Sequence, residues 1–181
     1  QAPAPTQGPL KLTFYGSGQG GYEKVGEVGS TADFARIYYR VPDLYEDSTD
    51  ILRGTVKSTE NFDETGVGQT LYQFEITKTY KGDLKPGQTI SILARGGYLR
   101  VSKMIEVFDN EFRFSDLTEE QKQNGVYEDF FMGIPIPKVG EEYVLFLAST
   151  KDDPQPPFPP GIYGEIGTFQ ARFVKREDGT F

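Results

Sequence analysis

Between Asp50 and Gly97 the chain alternates apolar and polar side chains with a period of two, as strands with one buried and one wet face require. In TLYQFEITKTY, Tyr72, Phe74, Ile76 and Tyr80 fall on even positions, with Gln73, Glu75, Thr77 and Thr79 between them. DILRGTV places Leu52, Gly54 and Val56 on one side, and TISILARGG does the same for Ile90 and Ile92. Pro86-Gly87 suits a type II turn, because proline pre-sets φ and glycine tolerates positive φ. These runs predict three consecutive strands joined by turns.

The remaining chain extends this core. KLTFY, with Leu10, Leu12 and Phe14 alternating, predicts a short strand, and GSGQGG after it a loop. Ser30-Thr31 could cap a helical turn through Ala35, while Ile37, Tyr38 and Tyr39 would sit equally well in a strand. Pro42 at a first helical position predicts a short helix ending near Ser48. After Gly96-Gly97 the alternation stops for about forty residues, broken by one helix signal. That signal is SDLTEEQKQNG, with Asp116 or Thr118 as cap and Gly125 just past the end. EEYVLFLAS is apolar on both faces, which predicts a central strand. Asp152 to Gly161 is too rich in proline for a ladder, and Phe169, Ala171 and Phe173 mark a last strand.

The expected fold is therefore mostly β: a small OB-like β-barrel with one or two short helices. Residues 1–30 form an N-terminal tether with a short strand, and residues 31–181 form the barrel domain, with an insertion at about 98–138. The expected core is Leu52, Val56, Tyr72, Phe74, Ile76, Ile90, Ile92, Leu145, Leu147, Phe169 and Phe173.

Composition then excludes chemistry. The chain of 181 residues has no histidine, no cysteine and no tryptophan. A Ser-His-Asp triad, a His-ligated zinc, a thiol nucleophile and a disulfide are all out of reach. A formal net charge of −8 argues against nucleic acid, which recruits a Lys/Arg footprint. No apolar run approaches the ~18 residues of a transmembrane helix. The opening QAPAPTQGP reads as an extended spacer. It leads us to expect an extracytoplasmic protein, secreted or cell-surface anchored, with a lipid anchor upstream of Gln1 as one route.

The order of these segments resembles a family of uncharacterised extracytoplasmic bacterial proteins with a netrin/TIMP-like OB-fold domain. The resemblance rests on Gly54, Tyr80-Lys81-Gly82, Gly96-Gly97, Gly140-Glu141-Glu142-Tyr143 and Phe146-Leu147, and covers about residues 42–174. It implies the barrel fold and, through the TIMP-type inhibitors, protease inhibition as one activity. Those inhibitors place an N-terminal cysteine on a protease zinc, and this chain has Gln1 and no cysteine.

Candidate sites are few. Gly16-Ser17-Gly18-Gln19-Gly20-Gly21 matches GxGxxG, but YEKVGEVG behind it carries no helical stripe to receive a pyrophosphate, so we read it as a loop. Carboxylates gather at Asp43/Glu46/Asp47/Asp50, Glu60/Asp63/Glu64, Asp109/Glu111 and Asp152/Asp153, without the spacing of a calcium loop. Nothing in the sequence pairs two of these acids across a cleft as a glycosidase requires. Ser102-Lys103 is a formal nucleophile–base pair whose members, as adjacent strand residues, would face opposite ways. We expect no catalytic residues, no cofactor and no metal. The insertion is aromatic, with Tyr98, Phe108, Phe112, Phe114, Tyr127, Phe130 and Phe131, and Phe158 sits in a proline frame nearby in sequence terms to the last strand. These rings form either a satellite core or a binding surface. In the second case Tyr127, Phe130 and Phe131 are the expected partner-binding residues, on a loop between Gly125 and Gly133 and rimmed by Glu128 and Asp129. The sequence thus points to a non-catalytic module for a protein or glycan partner, with a protease inhibitor or a structural domain of a surface assembly as alternatives.

Overall fold

A computed structural model describes residues 16, 19–31, 37–149, 161–167 and 170–181. The expectations for KLTFY, Asp152/Asp153, Phe158 and Phe169 lie outside the described residues. The elements in chain order are β1 (Glu23–Val28), α1 (Val41–Asp47), β2 (Asp50–Phe62), β3 (Gln69–Lys81), β4 (Thr89–Arg95), β5 (Gly97–Arg100), α2 (Val101–Phe108), α3 (Glu119–Asn124), β6 (Gly125–Asp129), β7 (Glu142–Ser149), β8 (Ile162–Glu165) and β9 (Arg172–Val174).

The expected alternation builds a closed barrel of five strands in the order β2-β3-β4-β8-β7, with β7 returning to β2. Neighbours are antiparallel except β4 and β8, which run parallel and close the ring. Closure leaves no free edge between these five strands, and this is the OB-like plan. Its interior is one apolar cluster that includes Leu52, Val56, Tyr72, Phe74, Ile76, Ile90, Ile92, Leu145 and Leu147. Nine expected core residues are in it. Tyr80 departs from the pattern: β3 runs past the end of the barrel, and its ring is half exposed.

Two local devices let β2 bend around this core. Gly54 sits where a Cβ would lie 2.2 Å from the Glu75 carbonyl oxygen and 2.7 Å from the Phe74 ring, so only glycine lets the strands approach there. Further along, Val56 pairs with Phe74 and Ser58 with Gln73, which leaves Lys57 as the extra residue of a bulge. The bulge inverts the parity of β2. Beyond it Thr59 and Asn61, rather than even-numbered residues, face inward.

β7 is apolar on both faces because both are covered. Tyr143, Leu145 and Leu147 line the barrel. Phe146, Val144 and Ala148 join Leu44 of α1, Ile51, Ile166 and Phe173 on the outside. α1 starts at Val41 with Pro42 in its first turn, and ends as Ser48 N–H donates to the Leu44 carbonyl at 3.1 Å, close to where the sequence predicts. Phe173 belongs to this outer cluster and is only partly buried, which corrects its expected place inside the barrel.

The segment between β4 and β7 holds more order than the sequence suggested. A second sheet, β1-β6-β5, joins β6 antiparallel to β5 and parallel to β1. Residues 23–28 therefore belong to this unit rather than to a tether. Leu99, Val101, Met104 and Phe114 are its buried centre. α3 starts with a full capping box, in which Gln121 N–H donates to Thr118 Oγ1 at 3.2 Å and Thr118 N–H to Gln121 Oε1 at 3.1 Å. Gly125 closes it, as expected. α2 was not foreseen.

Candidate interaction surface

The three rings expected to bind a partner do not share one surface. β6 begins at Gly125, so Tyr127 lies on a central strand and not on a loop. Its ring covers Gly26 of β1, where a Cβ would approach within 2.8 Å, and it lies 6.2 Å from the Phe114 ring. Phe130 is half-buried, with the Lys24 ammonium 5.9 Å from its centroid. Phe131 is only 2% exposed and sits under the Arg95 guanidinium, 5.2 Å from its centroid. Burial in the fold leaves Phe131 no surface to offer, and Tyr127 serves mainly the satellite core. The expectation of a loop-borne trio is corrected for these two.

Other rings of the same segment face water. α2 ends at Phe108 and is capped by Asp109, in the left-handed region with φ 48°. The chain then makes a 3-10 turn, Glu111–Phe114, whose start is fixed by Arg113 N–H donating to Asn110 Oδ1 at 3.2 Å. That turn points Phe114 into the satellite core and leaves Phe112 86% exposed. Phe108 and Val107 at the end of α2 are also exposed. They pack over Gly66 in the β2–β3 turn, where a Cβ would lie 2.9 Å from the Phe108 ring and 3.0 Å from Val107 Cγ1. Gly66 has φ +75° and so meets both a steric and a conformational demand. Exposed Val67 follows it. Val67, Val107 and Phe108 thus concentrate apolar area at the β2–β3 tip, and Phe112 is exposed on the 3-10 turn that follows α2.

This tip is fixed to the barrel by charge. Asp63, fully buried, accepts from the Arg100 backbone N–H at 2.9 Å, from Nε at 3.0 Å and from Nη2 at 2.6 Å. Glu64 accepts from Lys103 at 2.7 Å and Arg100 at 3.2 Å. The Lys103 hydrogen bond holds the Glu64 carboxyl below its ordinary pKa. At the other end of the β5–β6 ladder, opposite Gly97, buried Asp129 accepts from Ser30 N–H at 3.1 Å and Ser30 Oγ–H at 2.9 Å. Burial outweighs these bonds and pushes the Asp129 carboxyl up.

Ser102 and Lys103 lie on α2 rather than on a strand, and Lys103 is engaged by Glu64 and Glu106. Among the described residues no three acidic side chains gather as a metal site would require. Gln19 to Gly21 form a turn followed by β1, so the glycine-rich stretch lacks the helix a dinucleotide needs. Another ion pair is deeply buried: Arg172 clasps Glu165 through Nε at 3.0 Å and Nη2 at 2.9 Å, and Tyr72 Oη donates to the same carboxylate at 2.6 Å. Desolvation opposes the Arg172 charge, but Glu165 and the neighbouring tyrosines more than offset it and hold its pKa up. Its Nη1 donates to the Pro135 carbonyl at 2.9 Å, so it ties β9 to the end of the insertion.

At the opposite end of β3, Lys81 donates to the Tyr45 and Glu46 carbonyls at 2.6 and 3.2 Å and closes the C-terminus of α1. Lys78 lies 4.7 Å from the Tyr80 centroid. The Tyr80 and Tyr45 rings there lie under the Lys78 and Lys81 ammonium groups.

Comparison of the chain with protein-family models, with curated proteins and with solved structures found no match in any of the three.

Proposed function

We propose that this protein is a non-catalytic interaction module that holds a protein partner on the tip formed by Val67, Val107 and Phe108 and on Phe112 of the turn that follows α2. The observation that carries the reading is Phe112, 86% exposed on the turn that follows the half-exposed Phe108. Large rings that fold outward despite an available satellite core are typical anchors of protein interfaces, where they bury much area at little entropic cost. The rigid capping box, the 3-10 turn and the Asp63–Arg100 clasp hold them in place beforehand, which lowers the cost of binding. The lack of histidine and cysteine removes the common nucleophile–base pairs and supports a non-enzymatic role.

An extracytoplasmic setting, secreted or at the cell surface, belongs to the same proposal. It is supported by the Pro/Ala/Thr-rich opening segment and by the resemblance to netrin/TIMP-like bacterial proteins. No helix among the described residues is long and apolar enough to cross a membrane.

The test is site-specific photo-crosslinking. A photoreactive residue at position 112 should trap one discrete protein in an envelope fraction from the source cell. The same probe at the equally exposed Tyr39, 87% accessible, should not. Equal trapping from both positions would sink the proposal. Inhibition of any enzyme in a panel of metallo-, serine and cysteine proteases would replace it with the inhibitor reading.

A further inference from the structure

Past Ile76 the two arms of the β3–β4 hairpin part. The ladder between them ends with Glu75 opposite Thr89 and with the bonds that join Ile76 to Gly87 and Gln88. β3 runs on to Lys81, held by β2 on its other side, and the chain returns through Gly82 toward the Pro86-Gly87 turn. Gly82 has φ +97°, and a Cβ there would lie 2.0 Å from Asp50 Oδ1, so only glycine makes this bend. Thr79 Oγ–H donates to the Leu84 carbonyl at 2.7 Å and ties the returning arm to the strand. The two arms line an open groove of about 380 Å³, with Lys78 and Lys81 on the outgoing arm and Lys85 on the returning one.

We infer that this groove binds a phosphate monoester through its doubly charged phosphoryl group. The chain has a formal charge of −8, and most of its other lysines are neutralised where they stand. Lys24, Lys57, Lys103, Lys122 and Lys175 each hold a carboxylate. Among the described residues Lys78, Lys81 and Lys85 pair with none, and no acidic side chain lines the groove. Asp50 is buried behind Gly82, and Asp83 is not part of the lining. Two of the three ammonium groups are set in place without being neutralised. Lys81 donates to the Tyr45 and Glu46 carbonyls at 2.6 and 3.2 Å and lies 4.7 Å from the Tyr45 centroid. Lys78 lies 4.7 Å from the Tyr80 centroid. Carbonyls and ring faces orient a cation, but they carry no net charge to cancel it. Three positive charges suit a dianion better than the single charge of a carboxylate, and lysine meets phosphate as a point charge. The volume equals the share of about a dozen liquid waters, more than a phosphate ion alone would fill. An organic remainder therefore has room beside Tyr80, Leu84 and Pro86. Groove and docking tip lie at opposite ends of β3, and neither reading depends on the other.

The experiment is protein-observed NMR of the full chain with glycerol 3-phosphate, and with methyl sulfate and acetate as singly charged counterparts. Expected is saturable shifting of the Tyr80, Gly82 and Lys85 amides by glycerol 3-phosphate, with weaker binding of the other two. Lys78→Met and Lys85→Met should each weaken it at least about threefold, as loss of one exposed charge pair implies. Both side chains are exposed, so these variants keep the fold. Lys138→Met, which removes an exposed lysine outside the groove, should leave binding unchanged. Co-sedimentation with phosphatidylcholine vesicles, with and without phosphatidate, separates two sources of the phosphoryl group. Recruitment by phosphatidate that Lys78→Met abolishes names a lipid headgroup, and shifts by glycerol 3-phosphate without recruitment name a soluble ester. Neither a saturable shift nor recruitment by phosphatidate would overturn the inference. So would acetate binding as tight as that of glycerol 3-phosphate, or a loss in Lys138→Met equal to that in the groove variants.

Discussion

The barrel and the insertion are built on opposite principles. Inside the barrel Leu52, Tyr72, Phe74, Ile92, Leu145 and Leu147 pack into one apolar cluster, and all are essentially inaccessible. The insertion's satellite core centres on a smaller cluster, Leu99, Val101, Met104 and Phe114. It relies on Asp63, Arg100 and Asp129 at its joints. Burial of apolar area is forgiving of direction, whereas a desolvated charge tolerates only its own partner. The barrel should therefore yield to lost volume and the insertion to lost partners.

The largest effect should come from the barrel. Leu145→Ala leaves a cavity among closed strands and should cost roughly 3–4 kcal/mol in chemical denaturation. If Arg100→Met proves equally costly but selective, the contrast is sharpened. It strands the Asp63 carboxylate and should cost about 3 kcal/mol. Hydrogen exchange should then rise in residues 97–129 while β3 and β7 stay protected. Uniform loss of protection would show the two regions to be one cooperative unit. Thr118→Ala removes the cap of α3 and should cost about 1 kcal/mol, again confined to the insertion.

Acid probes the joints as well. Glu64, through Lys103, and Glu142, through Lys175 and then Arg53, are held below their reference pKa of 4.5. Their contribution is complete above that value and is lost as pH falls through the depressed folded-state values. A melting-temperature profile should decline on that acid limb, and Lys103→Met should make the decline shallower. An unchanged slope would remove Glu64 from the account. The smallest change in stability should follow Phe112→Ala, within about 0.5 kcal/mol, since the ring is in water before and after.

How much of this was legible follows the same division. The barrel strands announce themselves through local alternation, and Gly54 and Pro86-Gly87 mark their bends. α2 carries a helical signal as well, with Val101, Met104, Ile105 and Phe108 at i, i+3, i+4 and i+7. It was masked by the preceding GYLR strand, which runs into it without a break. β1 has no comparable signal, because EKVGEV contains a glycine whose only explanation is the ring of Tyr127. The same non-local packing decides which phenylalanines face outward. Phe112 and Phe114 are two residues apart and differ only in which way a 3-10 turn aims them.

The parallel pairing of β1 with β6 also bears on synthesis. Lys24 and its partner Glu128 are 104 positions apart, and no hairpin can join parallel strands. A chain emerging from its N-terminus must carry β1 with its amides bonded only to water until about a hundred later residues have appeared. During that interval the strand edge is open to any other extended segment, including the same strand of a second nascent copy. The short length of β1 and its charges at Glu23, Lys24 and Glu27 limit that hazard, because like strands repel before they can register.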